Sequence, residues 1–154
     1  MKKAITFVLL LTAITSYSQI TGSLPIQYAE GVEIDFKSFI NSVTTQYGNG
    51  TDHRVYIARG GRFKTAQMKI SNNTSQDAEI DFGRIFLLDS SGNKYYVHFV
   101  LQAMKVATTG ERLKLNLKAG KSKTFAAEFW PPFPKGEKVE KLEINGEVVE
   151  LIKG

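Results

Sequence analysis

Apolar and polar residues alternate with a period of two in short segments along this chain. Val32, Ile34 and Phe36 alternate with charged residues, and the same pattern returns at 66–70, 113–117 and 125–129. Side chains of a β-strand point to its two faces in turn, so the pattern predicts strands that each bury one face. No long amphipathic helical segment is present. We therefore expect an all-β fold built from many short strands.

Turn signals separate these segments. Asn145-Gly146 lies between two apolar runs and predicts a tight hairpin, because both residues tolerate positive φ angles. Residues 89–93 predict a second hairpin. The segment 36–47 is ambiguous, since its apolar residues also have helical spacing. Its content of Val, Thr, Ile and Phe favours a strand over a short helix.

The chain begins with the layout of a secretory signal peptide. Lys2 and Lys3 precede an uncharged, largely apolar run, and the small residues Ser16 and Ser18 predict cleavage before Gln19. The run is too short for a transmembrane anchor, which needs about 20 apolar residues. No Cys is available for lipid attachment. We expect a signal peptide at 1–18, a loosely held lead-in at 19–31 and one domain at 32–154, exported to the periplasm or the medium and not spanning a membrane.

The composition indicates neither disulfides nor a nucleic-acid partner. The chain has no Cys, and a single domain of this size does not need disulfides to fold. Its formal charge is +5, and two of the positive charges belong to Lys2 and Lys3. So mild an excess does not by itself point to nucleic acid, and export argues against such a partner.

Signals for catalysis and metal binding are weak. The chain has two histidines, His53 in a predicted loop and His98 on a predicted strand, and it has no Gly-x-Ser-x-Gly motif. No pair of histidines has the spacing of a metal site. Residues 89–93 do not follow the ligand spacing of a calcium loop and are better explained as a turn. We expect no catalytic residue, no metal and no cofactor.

Two aromatic residues in an unusual segment are candidates for a ligand or partner surface. Trp130 and Phe133 are interleaved with three prolines, which end strand pairing or mark a sheet edge. We favour the interpretation that the two rings cap one end of the core, as large aromatic side chains are usually buried. The alternative is an exposed aromatic tip that grips a sugar or a protein.

A basic face is the other candidate surface. Between residues 94 and 123 there are seven Lys or Arg residues and one acidic residue, Glu111. If Leu113, Leu115 and Leu117 point inward, their alternating neighbours Arg112, Lys114 and Lys118 point outward together. A solvated face is the simpler explanation. A row of like charges also suits a partner of opposite sign, such as an acidic envelope polysaccharide, anionic lipid head groups or an acidic protein surface.

The order of strands and turns from about residue 62 to 142 resembles that of secreted bacterial immunoglobulin-like domains, sometimes called telokin-like. The resemblance is carried by the segments Lys69–Thr74, Leu87–Tyr95, Leu117–Ser122 and Phe125–Phe129. It implies an immunoglobulin-like β-sandwich and says almost nothing about activity. The chain departs from the pattern in its Trp130–Pro134 segment.

These observations together predict an exported, non-catalytic binding or structural module of the bacterial envelope. Its partner is expected to be a protein or an anionic envelope polymer. The alternative is an inhibitor or regulator of a secreted enzyme, because some immunoglobulin-like bacterial domains present loops to proteases. The sequence does not indicate an oligomeric state.

Overall fold

The computed structural model describes residues 16–19, 25–47, 54–103, 105–109 and 113–151, and most of them lie in β-strands. One 3-10 turn spans Phe82–Arg84. In chain order the strands are β1 (Ser16–Gln19), β2 (Ile26–Ala29), β3 (Val32–Ser42), β4 (Thr44–Tyr47), β5 (Arg54–Ile57), β6 (Gly61–Asn72), β7 (Ala78–Asp81), β8 (Ile85–Leu88), β9 (Lys94–Gln102), β10 (Lys105–Thr109), β11 (Lys114–Leu117), β12 (Ser122–Pro134), β13 (Lys141–Ile144) and β14 (Glu147–Glu150). The predicted all-β class is confirmed, and so is the strand interpretation of 36–47.

Ten strands form one main sheet in the order β1-β3-β6-β12-β9-β8-β13-β14, with β2 also paired to β3 and β10 to β9. Its centre is the antiparallel pair β6–β12, where Ala66 lies opposite Ala127 and Met68 opposite Phe125. All four side chains are buried. Two further two-stranded sheets, β7–β11 and β4–β5, are separate from the main sheet.

The β7–β11 sheet covers the inner face of the main sheet and closes the core. Ile80 and Leu117 are almost completely buried in the same hydrophobic cluster as Phe125. The rings of Phe82 and Phe125 meet edge to face with centroids 5.5 Å apart. Two layers around one apolar core are the expected solution for strands that each have one apolar face. The predicted inward face of β11 is confirmed, because Leu117 is buried while Lys114 is exposed.

Both predicted hairpins are present. Asn145 and Gly146 have φ angles of 53° and 88° and connect β13 to β14. In the hairpin between β8 and β9, one oxygen of the Asp89 carboxylate accepts hydrogen bonds from the backbone N–H groups of Ser91 and Asn93. The hydroxyl of Tyr95 donates to the other oxygen. Burial and this bond to Asp89 raise the pKa of Tyr95 to about 12. The carboxylate therefore organises a turn.

The predicted lead-in is more ordered than expected. Residues 26–29 form β2 and pair with β3. The Tyr28 hydroxyl accepts a hydrogen bond from the backbone N–H of Asp81, and Asn145 Nδ2 donates to the Tyr28 carbonyl. The lead-in is therefore held by two parts of the fold far away in sequence, which an alternation pattern cannot reveal. Residues 1–15 of the predicted signal peptide lie outside the described residues, and the predicted cleavage bond lies within β1.

The proline-containing segment continues β12 and does not end its pairing, contrary to the expectation for three prolines. After a register shift beyond Phe129, β12 resumes its pairing with β6 at Phe133 and Pro134. Gly61 permits this approach, because a Cβ at that position would lie 2.5 Å from the Phe133 carbonyl oxygen. The strand therefore bends at the shift and pairs with β6 again at its end.

Candidate functional site

The outer face of the main sheet, turned away from the core, is covered locally by a hairpin. On β12, Ala126, Glu128 and Trp130 alternate with core residues and so lie on this outer face. The hairpin formed by β4 and β5, which we call the cover hairpin, lies over them. Its two strands pair through Thr44–Tyr47 and Arg54–Ile57. Residues 48–53, which join them, lie outside the described residues.

Glu128 is the most unusual side chain of this region. It is only 5 % exposed, and Oε2 accepts a 2.8 Å hydrogen bond from the Thr45 hydroxyl of the cover hairpin. Its other oxygen, Oε1, is shielded from solvent and has no hydrogen-bond partner among the described residues. Burial raises the pKa of Glu128 to about 7, an effect that the bond from Thr45 only partly offsets. A carboxyl group that titrates near neutrality is a recognised mark of a functional position.

Trp130 lies beside Glu128 in an aromatic cluster. Its ring contacts Tyr56 edge to face with centroids 5.4 Å apart, and it stacks on Phe63 at 5.3 Å. The His98 ring lies 5.4 Å from it on the β9 side. Burial lowers the pKa of His98, so the neutral imidazole is favoured. The cluster joins the cover hairpin, through Tyr56, to three strands of the main sheet.

The opposite side of the cover hairpin exposes apolar side chains. Val55 and Ile57 are 61 % and 66 % exposed. Tyr56, which lies between Val55 and Ile57 in β5, points to the main sheet, as the alternation of a strand requires. The hairpin therefore has an anchored face and a face that turns two apolar side chains to solvent, which we call the apolar hairpin face (Val55, Ile57).

The predicted basic face is compensated by acids of the neighbouring strand. Lys114 Nζ lies 2.9 Å from a carboxylate oxygen of Glu79, and Lys118 Nζ lies 2.7 Å from one of Asp77. The hydrogen bond from Lys118 holds the pKa of Asp77 below its usual value, and the bond to Glu79 raises the pKa of Lys114. Strand β7, together with Asp77 just before it, thus supplies opposite charges within the fold. Arg112 lies outside the described residues.

Removing these acids is a direct test of the basic face. We expect the double variant Asp77→Asn, Glu79→Gln to need more salt than the parent for elution from an anionic matrix, since Lys114 and Lys118 lose their partners. The control is Glu30→Gln, Glu147→Gln, which changes the net charge equally at two exposed positions elsewhere. Elution of both double variants at the same salt concentration would show that the row of lysines has no local affinity for anions.

Phe133 does not belong to an exposed surface, contrary to one of the two interpretations of its segment. It is 0 % exposed and stacks on Tyr95 with ring centroids 3.7 Å apart. The Lys64 ammonium lies 5.0 Å from its centroid and donates to Asn41 Oδ1. Burial lowers the pKa of Lys64. Phe133 is therefore a core residue, while Trp130 is half-buried in the cluster described above.

Sequence reasoning missed Glu128, Thr45 and Tyr56. A signal was present, because the supposed solvent-facing positions of β12 include Ala126 and Trp130, so the segment is apolar on both faces. A strand that is covered on both sides typically has apolar residues on both faces. Strict alternation along 95–101 predicts that His98 and Phe99 lie on opposite sides of their strand. The structure places a register irregularity between β9 and β12 here, which brings Phe99 opposite Glu128.

The described residues contain no group of three or more His, Asp or Glu side chains arranged to hold a metal ion. His53, with its neighbour Asp52, lies outside them. In the same part of the chain, no helix is long and apolar enough to cross a membrane.

Comparison with known proteins supports the fold. No protein-family model matches the chain, and no curated protein matches its sequence significantly. Among solved structures, the chain is similar to an uncharacterized β-sandwich protein from Clostridium difficile 630, with a TM-score of 0.52 and 15 % sequence identity. The match covers 84 % of this chain and 89 % of that protein. The chain is a β-sandwich.

Proposed function

We propose that this chain is an exported, non-catalytic binding module that engages a protein partner through the apolar hairpin face. The observation that carries the proposal is the position of the exposed apolar side chains. The two most exposed large hydrophobic residues in the described part of the chain, Ile57 and Val55, lie side by side on one face of the cover hairpin. Apolar side chains grouped in this way are typical of protein interaction sites.

The anchoring of the hairpin supports the same proposal. Thr45 and Tyr56 fix its inner face to the main sheet, so the outer face is held in one orientation before any partner arrives. A preorganised surface loses less conformational entropy on binding than a mobile one. Export is supported by the signal-peptide pattern at residues 1–18, and an immunoglobulin-like, telokin-like architecture by the resemblance of the strand and turn order.

Inhibition of a secreted enzyme is a second candidate. The observation that favours it is again the anchored hairpin, because inhibitors gain affinity when the segment that enters the enzyme is held rigidly. The two candidates differ in the partner, because an inhibitor or regulator would bind a secreted enzyme.

The double change Val55→Ser, Ile57→Ser tests the proposed surface. Burying a Val or Ile side chain contributes about 1.5–3 kcal/mol, so losing both should lower partner affinity by at least about tenfold. The processed chain would be immobilised and used to capture proteins from the native envelope fraction, with quantification by mass spectrometry. We expect one set of proteins to be lost with the double variant.

The matched control is Val148→Ser. Val148 is 56 % exposed but lies on β14, away from the cover hairpin. Capture should be unchanged in this variant. Equal capture by the parent and the hairpin variant, with circular dichroism showing both to be folded, would contradict the proposal.

A further inference from the structure

The cover hairpin is attached to the main sheet at two neighbouring points. Thr45 and Tyr56 lie directly opposite each other in the hairpin, and their partners Glu128 and Trp130 are two residues apart on the same face of β12. One attachment is the hydrogen bond from Thr45 to Glu128. The other is the edge-to-face contact between Tyr56 and Trp130. Only the first contains a group that changes charge near neutral pH.

Glu128 is poorly suited to carry a charge while the hairpin covers it. The described residues provide its carboxyl group with a single hydrogen bond and no ion pair, and Oε1 is sealed from solvent without a partner. A buried carboxylate normally needs several donors or a cation to replace its lost hydration. The neutral acid, by contrast, tolerates this environment. If the cover hairpin left the outer face, water could again hydrate the Glu128 carboxylate.

We propose that Glu128 is a protonation-controlled latch: the neutral carboxyl, bonded to Thr45, holds the cover hairpin on the main sheet, and the carboxylate releases it. The inference rests on the proposed function for its biological meaning, because the latch then regulates the binding surface. Release leaves the apolar hairpin face less ordered, so a partner that needs the docked orientation binds more weakly at alkaline pH.

Other titratable groups near the latch are few. Strand β9 contributes His98 and β5 contributes Tyr56, both in contact with Trp130. The cation Arg54, two residues before Tyr56, lies on the same side of β5. Strand β6 contributes Lys64, whose Nζ is directed to Asn41 and the ring of Phe133, on the other side of the sheet. His53 and Asp52, in the residues that join β4 to β5, lie outside the described residues. His98 and His53 are therefore the groups whose titration must be separated from that of Glu128.

The direction of the pH effect follows from burial. Burial raises the pKa of Glu128 from an ordinary 4.5 to about 7. A raised pKa means that the folded state binds the proton more tightly than the unfolded state. The contribution of Glu128 to stability is therefore full below pH 4.5, falls as the pH rises toward 7, and is lost above that value. Docking of the hairpin should weaken over the same range.

Trp130 reports on the latch, because it is the only tryptophan in the chain and lies beneath the hairpin. Quenching of its fluorescence by acrylamide measures how far the ring is uncovered. In the processed chain we expect the quenching constant to rise at least twofold between pH 5.5 and pH 8.5, with a midpoint near pH 7. In Glu128→Gln, which keeps the shape of the side chain and cannot ionise, we expect it to stay at its low-pH value throughout.

The variants His98→Asn and His53→Asn control for imidazole titration and should retain the transition of the parent. A pH-independent quenching constant in the parent, or an unchanged transition in Glu128→Gln, would overturn the latch. If Glu128→Gln does not fold, side-chain carboxyl NMR of the labelled parent decides the question. The Glu128 titration midpoint must then coincide with the quenching midpoint, and a difference of more than one pH unit refutes the proposal.

These measurements need no partner, so they separate the latch from the proposed function. A failed latch with intact capture through Val55 and Ile57 leaves the binding surface in place. A working latch with unaffected capture in the hairpin variant removes the proposed function and keeps the conformational device.

Discussion

Leu117→Asp is expected to leave the chain largely unfolded at 25 °C. Leu117 is 1 % exposed and belongs to the core between β11 and the main sheet. The described residues place no cation in that cluster, so the new carboxylate would be buried without a partner. An uncompensated buried charge costs several kcal/mol, which is comparable with the total stability of an ordinary domain. Far-ultraviolet circular dichroism and thermal melting would show the loss.

The control for this change is Thr124→Asp, which adds the same carboxylate at an exposed position opposite Lys69. Its melting temperature should match that of the parent within a few degrees. Lys114→Asp would be a poor control, because it would place a third acid beside Glu79 and Asp81. A cooperative transition at the parent temperature in Leu117→Asp would show that β11 does not seal the core.

Phe133→Ala is expected to destabilise the chain by about 3–5 kcal/mol, as is usual for a fully buried phenylalanine. The loss includes the stacking on Tyr95 and the ring beneath the Lys64 ammonium. Denaturant titration measures the change, and Phe133→Leu, which keeps most of the volume, should cost much less. If Phe133→Ala were as stable as the parent, the ring would have to be exposed, as the aromatic-tip interpretation of the segment required.

Much of the fold could be predicted because the information is local. The alternation at Val32–Phe36 and at 125–129 fixes which side chains enter the core, and Asn145-Gly146 fixes a turn through its backbone preference. These signals need only the residues within a strand or a turn. They gave the all-β class, the inward face of β11 and both hairpins.

The candidate site could not be predicted in the same way, because it depends on pairing between distant segments. Thr45 and Glu128 are 83 residues apart, and the residues around each of them give no signal that the two side chains meet. The register irregularity between β9 and β12 also has no clear local sequence signal, yet it turns Phe99 toward the outer face. The counter-charges of β11 were missed for a similar reason, since β7 was not recognised as its neighbour.

The central pairing of β6 with β12 has a consequence for how quickly the chain folds. Ser71 and Ser122 lie opposite each other at one end of this pair and are 51 residues apart in sequence. The entropy of closing so long a loop must be lost before the central contacts form, and topologies of this kind typically fold in milliseconds to seconds. A chain bearing the signal peptide predicted here would stay unfolded during that delay, and an unfolded chain is the form that a narrow secretion channel can thread.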